Sequence, residues 1–520
     1  MDIITQLFNS NIGDPLVTLL SSFAFLGSST YFFKLPLLDA LIKNHICDLL
    51  GADLPVIKYT VSLFLVYPFA GILRLIPSKY DNIKHLYSCV IGILFVQWVY
   101  GEDWIHSFIS SIITYIICKH SPKKYCAILV FFFAMGYMTM SHWYRMYTSY
   151  MSYIFDFTGT QMVLTMKLTS FAYNYYDGTY DYLQVSKRDD DRKRYAITKL
   201  PSLLQFLGYM YCFTCIMAGP AYEYNDYVEA IDGTIYINKN QKKGEKSSSS
   251  PSTILPGLRR LAVGVLALIG HVILKGYYPL VTERNGAMIP TLADPVWLAN
   301  NPNHLVRLYK MILTLLSERY KFYFAWKVAE GSSILAGFGF QGYNDKGEII
   351  GFAGVENVDI LAFDLSWNMA SMSRAWNKRT QKWLERYTYS RTGNSLYITY
   401  FISALWHGLY PGFYCFFLTI PLVTSIERLV RDKINPLLIP TFNHKDPKSF
   451  PYDIKGILYA VFGFIGYITV MKYVAQTFAL GTLENCHRAL SSYYYAGHIF
   501  LVVFYVILLI IPGARKKKIN

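Results

Sequence analysis

Two polar side chains stand out as able to do chemistry, and His407 is the first. It lies in Ser403-Ala-Leu-Trp-His-Gly-Leu-Tyr-Pro-Gly-Phe-Tyr414, inside an apolar run over residues 396–423. A run of about 20 apolar residues crosses the roughly 30 Å hydrocarbon core of a bilayer. An ionisable residue at that depth is costly, so it marks a functional site or a histidine satisfied by a neighbouring helix. A neutral imidazole, with an ordinary pKa of about 6.5, can accept a proton from a reacting group. Paired with a carboxylate, it can instead carry a proton or ion through a membrane. Helical spacing predicts His407, Tyr410 and Tyr414 on one face, at i, i+3 and i+7. Gly408 and Gly412 remove bulk beside the imidazole, and Pro411 disturbs the helix. They predict either a cavity next to His407 or a close helix-packing pair.

The second side chain is Asn377, in Trp376-Asn377-Lys-Arg-Thr380-Gln-Lys-Trp383-Leu384. Read as a helix, this stretch puts Trp376, Thr380, Trp383 and Tyr387 on one face, while Arg374, Lys378, Arg379, Lys382 and Arg386 supply charge. That pattern predicts an amphipathic helix in the headgroup layer. A surface helix does not require Asn377. A third candidate is Glu330, in Tyr323-Phe-Ala-Trp-Lys-Val-Ala-Glu330-Gly331. It either pairs structurally with a base such as Lys327 or orients a catalytic group.

These residues need helices to hold them. Of 520 residues, 53% are hydrophobic and 16% charged, too apolar and too rich in long runs for a soluble chain. The runs fall at residues 16–33, 56–76, 86–100, 105–118, 127–140, 162–176, 203–218, 256–280, 305–340, 396–423, 457–479 and 499–512. They predict an all-α, polytopic transmembrane bundle of roughly ten to twelve spans, most simply one domain. Alternating ten-residue strands are not evident, which argues against a β-barrel. The net charge of +15 fits cytosolic loops obeying the positive-inside rule rather than nucleic-acid binding. Of the eight cysteines only Cys212 and Cys215 form a C-x-x-C, inside an apolar run, so we expect packing and no metal site. The charge run 186–194 and the polar stretch 238–252 read as solvated loops. The first residues lack a basic n-region, so no cleavable signal peptide is expected. The end, Arg515-Lys-Lys-Lys-Ile-Asn520, predicts a cytosolic C-terminus, and its last four residues look like a dilysine retrieval signal of the endoplasmic reticulum.

Together the two motifs resemble those of the membrane-bound O-acyltransferases, most closely the lysophospholipid acyltransferase branch. The spacing of Asn377 and His407 suits that family's paired asparagine and histidine. Residues 167–178, Ala218-Gly-Pro220, Ala329-Glu330-Gly331 and Tyr493-Tyr-Tyr-Ala-Gly-His498 are similar as well. The resemblance covers residues from about 150 onward. It implies one integral-membrane domain over 1–520, with N-terminal spans in 1–150, an acyltransferase core in 151–512 and a basic tail in 513–520. Phe413 departs from the branch, which often has tyrosine there. The motif Phe-Tyr-x-Asp-Trp-Trp-Asn of the sterol- and diacylglycerol-acylating relatives is missing, which argues against those substrates.

The resemblance implies transfer of a fatty acyl chain from acyl-CoA, a co-substrate rather than a bound cofactor, to the free hydroxyl of a lysophospholipid, at sn-2. The setting is the endoplasmic-reticulum membrane. His407, kept neutral by desolvation, is the expected general base. Asn377 is the expected donor to the thioester oxyanion, or else a holder of the attacking hydroxyl or the CoA sulfur. Ser403, at i−4, and Glu330 are candidates to orient the imidazole. Trp376, Thr380, Trp383, Trp406, Tyr410 and Tyr414 are candidate substrate contacts along a buried, water-poor tunnel. Arg374, Lys378 and Arg379 are candidate contacts to the CoA phosphates. Direct transfer is expected, because no Ser-His-Asp or Cys-His arrangement is compelling. Two other readings stay open at this point: acyl transfer to a protein or another lipid alcohol, and a transporter using His407 and Glu330.

Overall fold

The computed structural model describes residues 33–50, 52–152, 155–179, 190–237, 251–284, 286–439, 442, 450–451 and 453–512. The run at 16–33 apart from Phe33, most of the loop at 238–252, the first four residues of the charge run and the basic tail with Lys517 and Lys518 lie outside them. The chain forms two compact units, Met1–Leu266 with Tyr323–Asn357, and Ala267–Phe322 with Val358–Asn520.

The first unit is helical. It holds α1 (Leu54–Leu75), α2 (Asp81–Tyr100), α3 (Trp104–His120), α4 (Lys123–Thr148), α5 (Thr158–Asp177), α6 (Leu203–Met210), α7 (Tyr224–Ile231), the first part of α8 (Ile254–Tyr277) and the last part of α9 (His304–Leu335). Helix α5 is its buried centre: Leu164, Leu168, Phe171 and Ala172 have no exposed surface, and Lys167 almost none. The Lys167 ammonium donates to the carbonyls of Tyr209 and, at 3.1 Å, Met210. A cation there satisfies carbonyls that α6 leaves without helical partners.

The run at 203–218 folds differently from the expected span. Only Leu203–Met210 is helical, and the buried segment after it is irregular. It runs through turns, with the Ile216 N–H on the Cys212 carbonyl at 3.0 Å and the Gly219 N–H on the Cys215 carbonyl at 2.8 Å. Here the Tyr211 hydroxyl meets Ser107 Oγ at 2.8 Å, and Cys212 Sγ meets the Tyr222 hydroxyl at 2.9 Å. All eight cysteines are free.

The second unit holds the rest of α8, a hairpin of β1 (Val281–Arg284) and β2 (Ala287–Pro290), the start of α9, α10 (Met369–Ala375), α11 (Lys378–Tyr387), α12 (Leu396–His407), α13 (Pro411–Leu429), α14 (Ile454–Leu480), α15 (Leu483–Ser491) and α16 (Ala496–Ile510). The hairpin pairs antiparallel from Val281↔Pro290 to Arg284↔Ala287. It is a small departure from the all-α expectation. Ile420 and Val423 of α13, Val474 of α14, and Leu501 and Leu508 of α16 form a core. Lys433 closes the end of α16 by donating to the carbonyls of Leu508 and Ile511, each at 2.7 Å.

Among the described residues six helices are long and apolar enough to cross a membrane, or up to seven with the α15–α16 pair, bent by 79°. That is fewer than the ten to twelve read from hydropathy, and three features account for much of the difference. Helix α5 is long enough but not apolar enough, since Gln161, Lys167, Asn174 and Asp177 lie along it. The run at 203–218 is half irregular. The runs at 86–100 and 105–118 fall in one continuous stretch, Ser78–His120. The result is a nearly all-α, multi-pass membrane protein.

Candidate active site

The apolar run around His407 breaks at Gly408, whose φ of 136° and ψ of −169° suit glycine alone. Helix α12 therefore ends on His407. Tyr410 caps the next helix, and Pro411 opens α13 at a position where its missing N–H costs nothing. This corrects the expected single face. Tyr410 and Tyr414 belong to the cap and first turn of α13, and Tyr414 packs on Phe401 at 5.9 Å. Gly412 proves to be a packing glycine. Its N–H donates to the Gly481 carbonyl at 2.6 Å, and a Cβ there would lie 2.2 Å from the Thr477 carbonyl oxygen. The start of α13 thus rests directly on the end of α14.

That contact carries Phe478 to His407. The imidazole is stacked on Phe417, with centroids 4.9 Å apart and planes 22° apart. Phe478 stands perpendicular to it at 5.1 Å, Trp406 at 4.7 Å and 76°, and Phe413 lies at 6.3 Å. Three helices supply these walls. Phe417 and Trp406 are buried, and Ser403 is buried one turn before His407 on α12. Sequence reading missed Phe417 and Phe478, because a phenylalanine in an apolar run looks the same whether it faces an imidazole or a lipid.

Asn377 sits in the left-handed region, with φ 44° and ψ 49°. Asparagine tolerates this conformation better than other non-glycine residues. Its carbonyl accepts the Gln381 N–H at 2.9 Å, but its side chain does not cap α11. The amide is therefore left available while the backbone starts the helix. Thr380, Trp383 and Tyr387 form the buried face of α11 as expected. Trp376 does not share that face. It lies before the helix in extended conformation, packed on Phe363 at 4.7 Å. Trp383 meets Trp406 with centroids 5.8 Å apart, which ties α11 to the end of α12. Arg374 and Lys382 are exposed, while Lys378, Arg379 and Arg386 are half-buried.

Glu330 lies in the first unit and is fully buried. One carboxylate oxygen accepts the Asn357 N–H at 2.8 Å and the other accepts from Lys327 at 2.7 Å. Arg260 is 3.7 Å from Glu330 and 3.0 Å from Glu356. Its structural pairing with Lys327 is therefore visible.

The family model described as "MBOAT, membrane-bound O-acyltransferase family" matches residues 143–451, more than half of the chain. The chain belongs to that family. It is a membrane-bound O-acyltransferase, and therefore an enzyme. Similar proteins include the lysophospholipid acyltransferase of Schizosaccharomyces pombe, 28% identical across 88% of this chain and 87% of the relative. Another is the human membrane-bound glycerophospholipid O-acyltransferase 2, 30% identical across 84% of this chain and 80% of its own. A third is human lysophospholipid acyltransferase 5, 27% identical, with 92% of each chain covered. In this membrane-bound O-acyltransferase, His407, Asn377 and Glu330 fall inside the family match, and Phe478 lies beyond its end.

Proposed function

We propose that this enzyme transfers a fatty acyl chain from acyl-CoA to the free sn-2 hydroxyl of a lysophospholipid, with His407 as general base. The observation that carries the reading is the set of relatives, named for acylating lysophospholipids and glycerophospholipids, that match over most of the chain. The family match draws residues from both units, which supports reading the chain as one acyltransferase domain.

The acceptor oxygen attacks the thioester carbonyl as its proton passes to an imidazole nitrogen of His407. The Asn377 amide donates to the oxyanion. As the intermediate collapses, the C–S bond breaks and the imidazolium returns the proton to the departing CoA sulfur. A neutral imidazole is suited to the first step and its conjugate acid to the second. The aromatic walls around the half-buried His407 support this reading, because restricting water there limits hydrolysis of the thioester. We assign Arg374, Lys378 and Arg379 to the CoA phosphates. Trp376, Thr380, Trp383, Trp406, Tyr410, Tyr414 and Ser403 are assigned to a tunnel for the two acyl chains. The setting is the endoplasmic-reticulum membrane, with the C-terminus in the cytosol.

The test is CoA release by purified protein given oleoyl-CoA and a panel of alcohols. Release with lysophospholipids, and not with sterol, diacylglycerol or a serine peptide, is expected. Release with one of the other alcohols alone would keep the family and overturn the substrate.

A further inference from the structure

An imidazole that takes a proton becomes a cation, and that cation needs stabilising in the half-buried, aromatic setting of His407. The ring of His407 lies flat against the face of Phe417, with centroids 4.9 Å apart and planes 22° apart. A cation within about 6 Å of an aromatic centroid, over its face, is attracted by the ring quadrupole. The attraction is far weaker for the neutral imidazole. The contact therefore strengthens as the proton arrives, and only interactions that strengthen toward the transition state raise the rate of the chemical step.

The stack is held from outside. Phe478 stands at 90° to the imidazole and 6.0 Å from Phe417, and it also packs on Phe413 at 4.6 Å and Phe416 at 5.8 Å. Its place is set by the backbone contact of Gly412 with Gly481 at 2.6 Å, which admits no side chain. Trp406, perpendicular at 4.7 Å, closes another side of the ring.

We propose that the face of Phe417 stabilises the imidazolium of His407 during acyl transfer, and that Phe478 fixes the ring in that stack. Both are positioning residues that act through His407. No bond of either changes: the proton moves from the acceptor hydroxyl to His407 and then to the CoA sulfur. The inference rests on the reading of His407 as base.

The test replaces Phe417 with mono-, di- and trifluorinated phenylalanines, which withdraw electron density from the face and nearly preserve shape. The acceptor is the lysophospholipid that gives the fastest CoA release with wild type. The expected result is a stepwise fall in kcat, on the order of 10- to 30-fold across the series, with KM for both substrates within about twofold. Phe417→Leu should lose kcat, and Phe417→Trp should restore part of it. A flat kcat across the fluorinated series, with Phe417→Leu still impaired, would reduce Phe417 to packing and overturn the proposal. His407→Ala is assayed alongside. If it keeps wild-type turnover, the base assignment itself fails. If it is inactive while the fluorinated series is flat, only the role of Phe417 fails.

Discussion

Under the proposed mechanism, Asn377 serves the backbone and the chemistry separately. Its left-handed conformation starts α11, and its amide is not spent on capping. The two roles can be parted by substitution. Asn377→Gly keeps the backbone freedom and removes the amide, whereas Asn377→Ala removes the amide and strains the backbone. Both should lose roughly 100- to 1,000-fold in kcat, the usual cost of one oxyanion donor. Only the alanine variant should also lose stability, by about 1–2 kcal/mol, seen as an earlier thermal transition in detergent. Equal transitions would argue against strain at this residue. His407 was legible as a candidate in the sequence because an imidazole in a long apolar run has few uses. Its neighbours Phe417 and Phe478 were not, since nothing in an apolar run says which phenylalanine turns inward.

At the scale of elements, the site depends on where helices stop and touch. Gly408, Pro411 and Gly412 were visible as disturbances, yet the spacing of His407, Tyr410 and Tyr414 was read along one unbroken helix. Whether a Gly-x-x-Pro-Gly string kinks a helix or ends it depends on tertiary contacts. The contact of Gly412 with the end of α14 is one of them. Gly412→Ala would drive a methyl into the Thr477 carbonyl. It should cost about 1–3 kcal/mol by overpacking and lower kcat by displacing Phe478, measured by thermal unfolding beside CoA release. Unchanged stability and turnover would mean that this contact does not position the site. Trp376 likewise left its predicted face, because α11 begins only at Lys378.

Glu330 belongs to the same scale, since it joins α8, α9 and the segment at Glu356 and Asn357 within the first unit. Removing one partner of a buried ion pair leaves the other uncompensated and typically costs about 3–5 kcal/mol. Glu330→Gln should therefore lower the unfolding temperature markedly. Protein that still folds should keep its KM values. A variant of normal stability with lost kcat would place Glu330 in catalysis instead. The spacing of Lys327 and Glu330 made their pairing readable, but the approach of Arg260 and Asn357 from other segments was not.

At the scale of the whole molecule, apolarity reports burial from water and does not say by what. Helix α5, enclosed by protein, and the irregular segment after Met210 both read as spans, which inflated the count. The architecture class and the family were legible, since composition and two motifs carry them. The aromatic surroundings of His407 draw on helices far apart in sequence, including α14, which lies past the family match. The central claim is that His407 is the base of a direct acyl transfer. The most direct measurement is lysophospholipid-dependent CoA release by purified wild-type protein and His407→Ala, with folding followed by thermal unfolding and oleoyl-CoA binding measured separately. The account predicts that the variant folds, still binds oleoyl-CoA and loses acceptor-dependent release. A folded His407→Ala protein that releases CoA at the wild-type rate would contradict it.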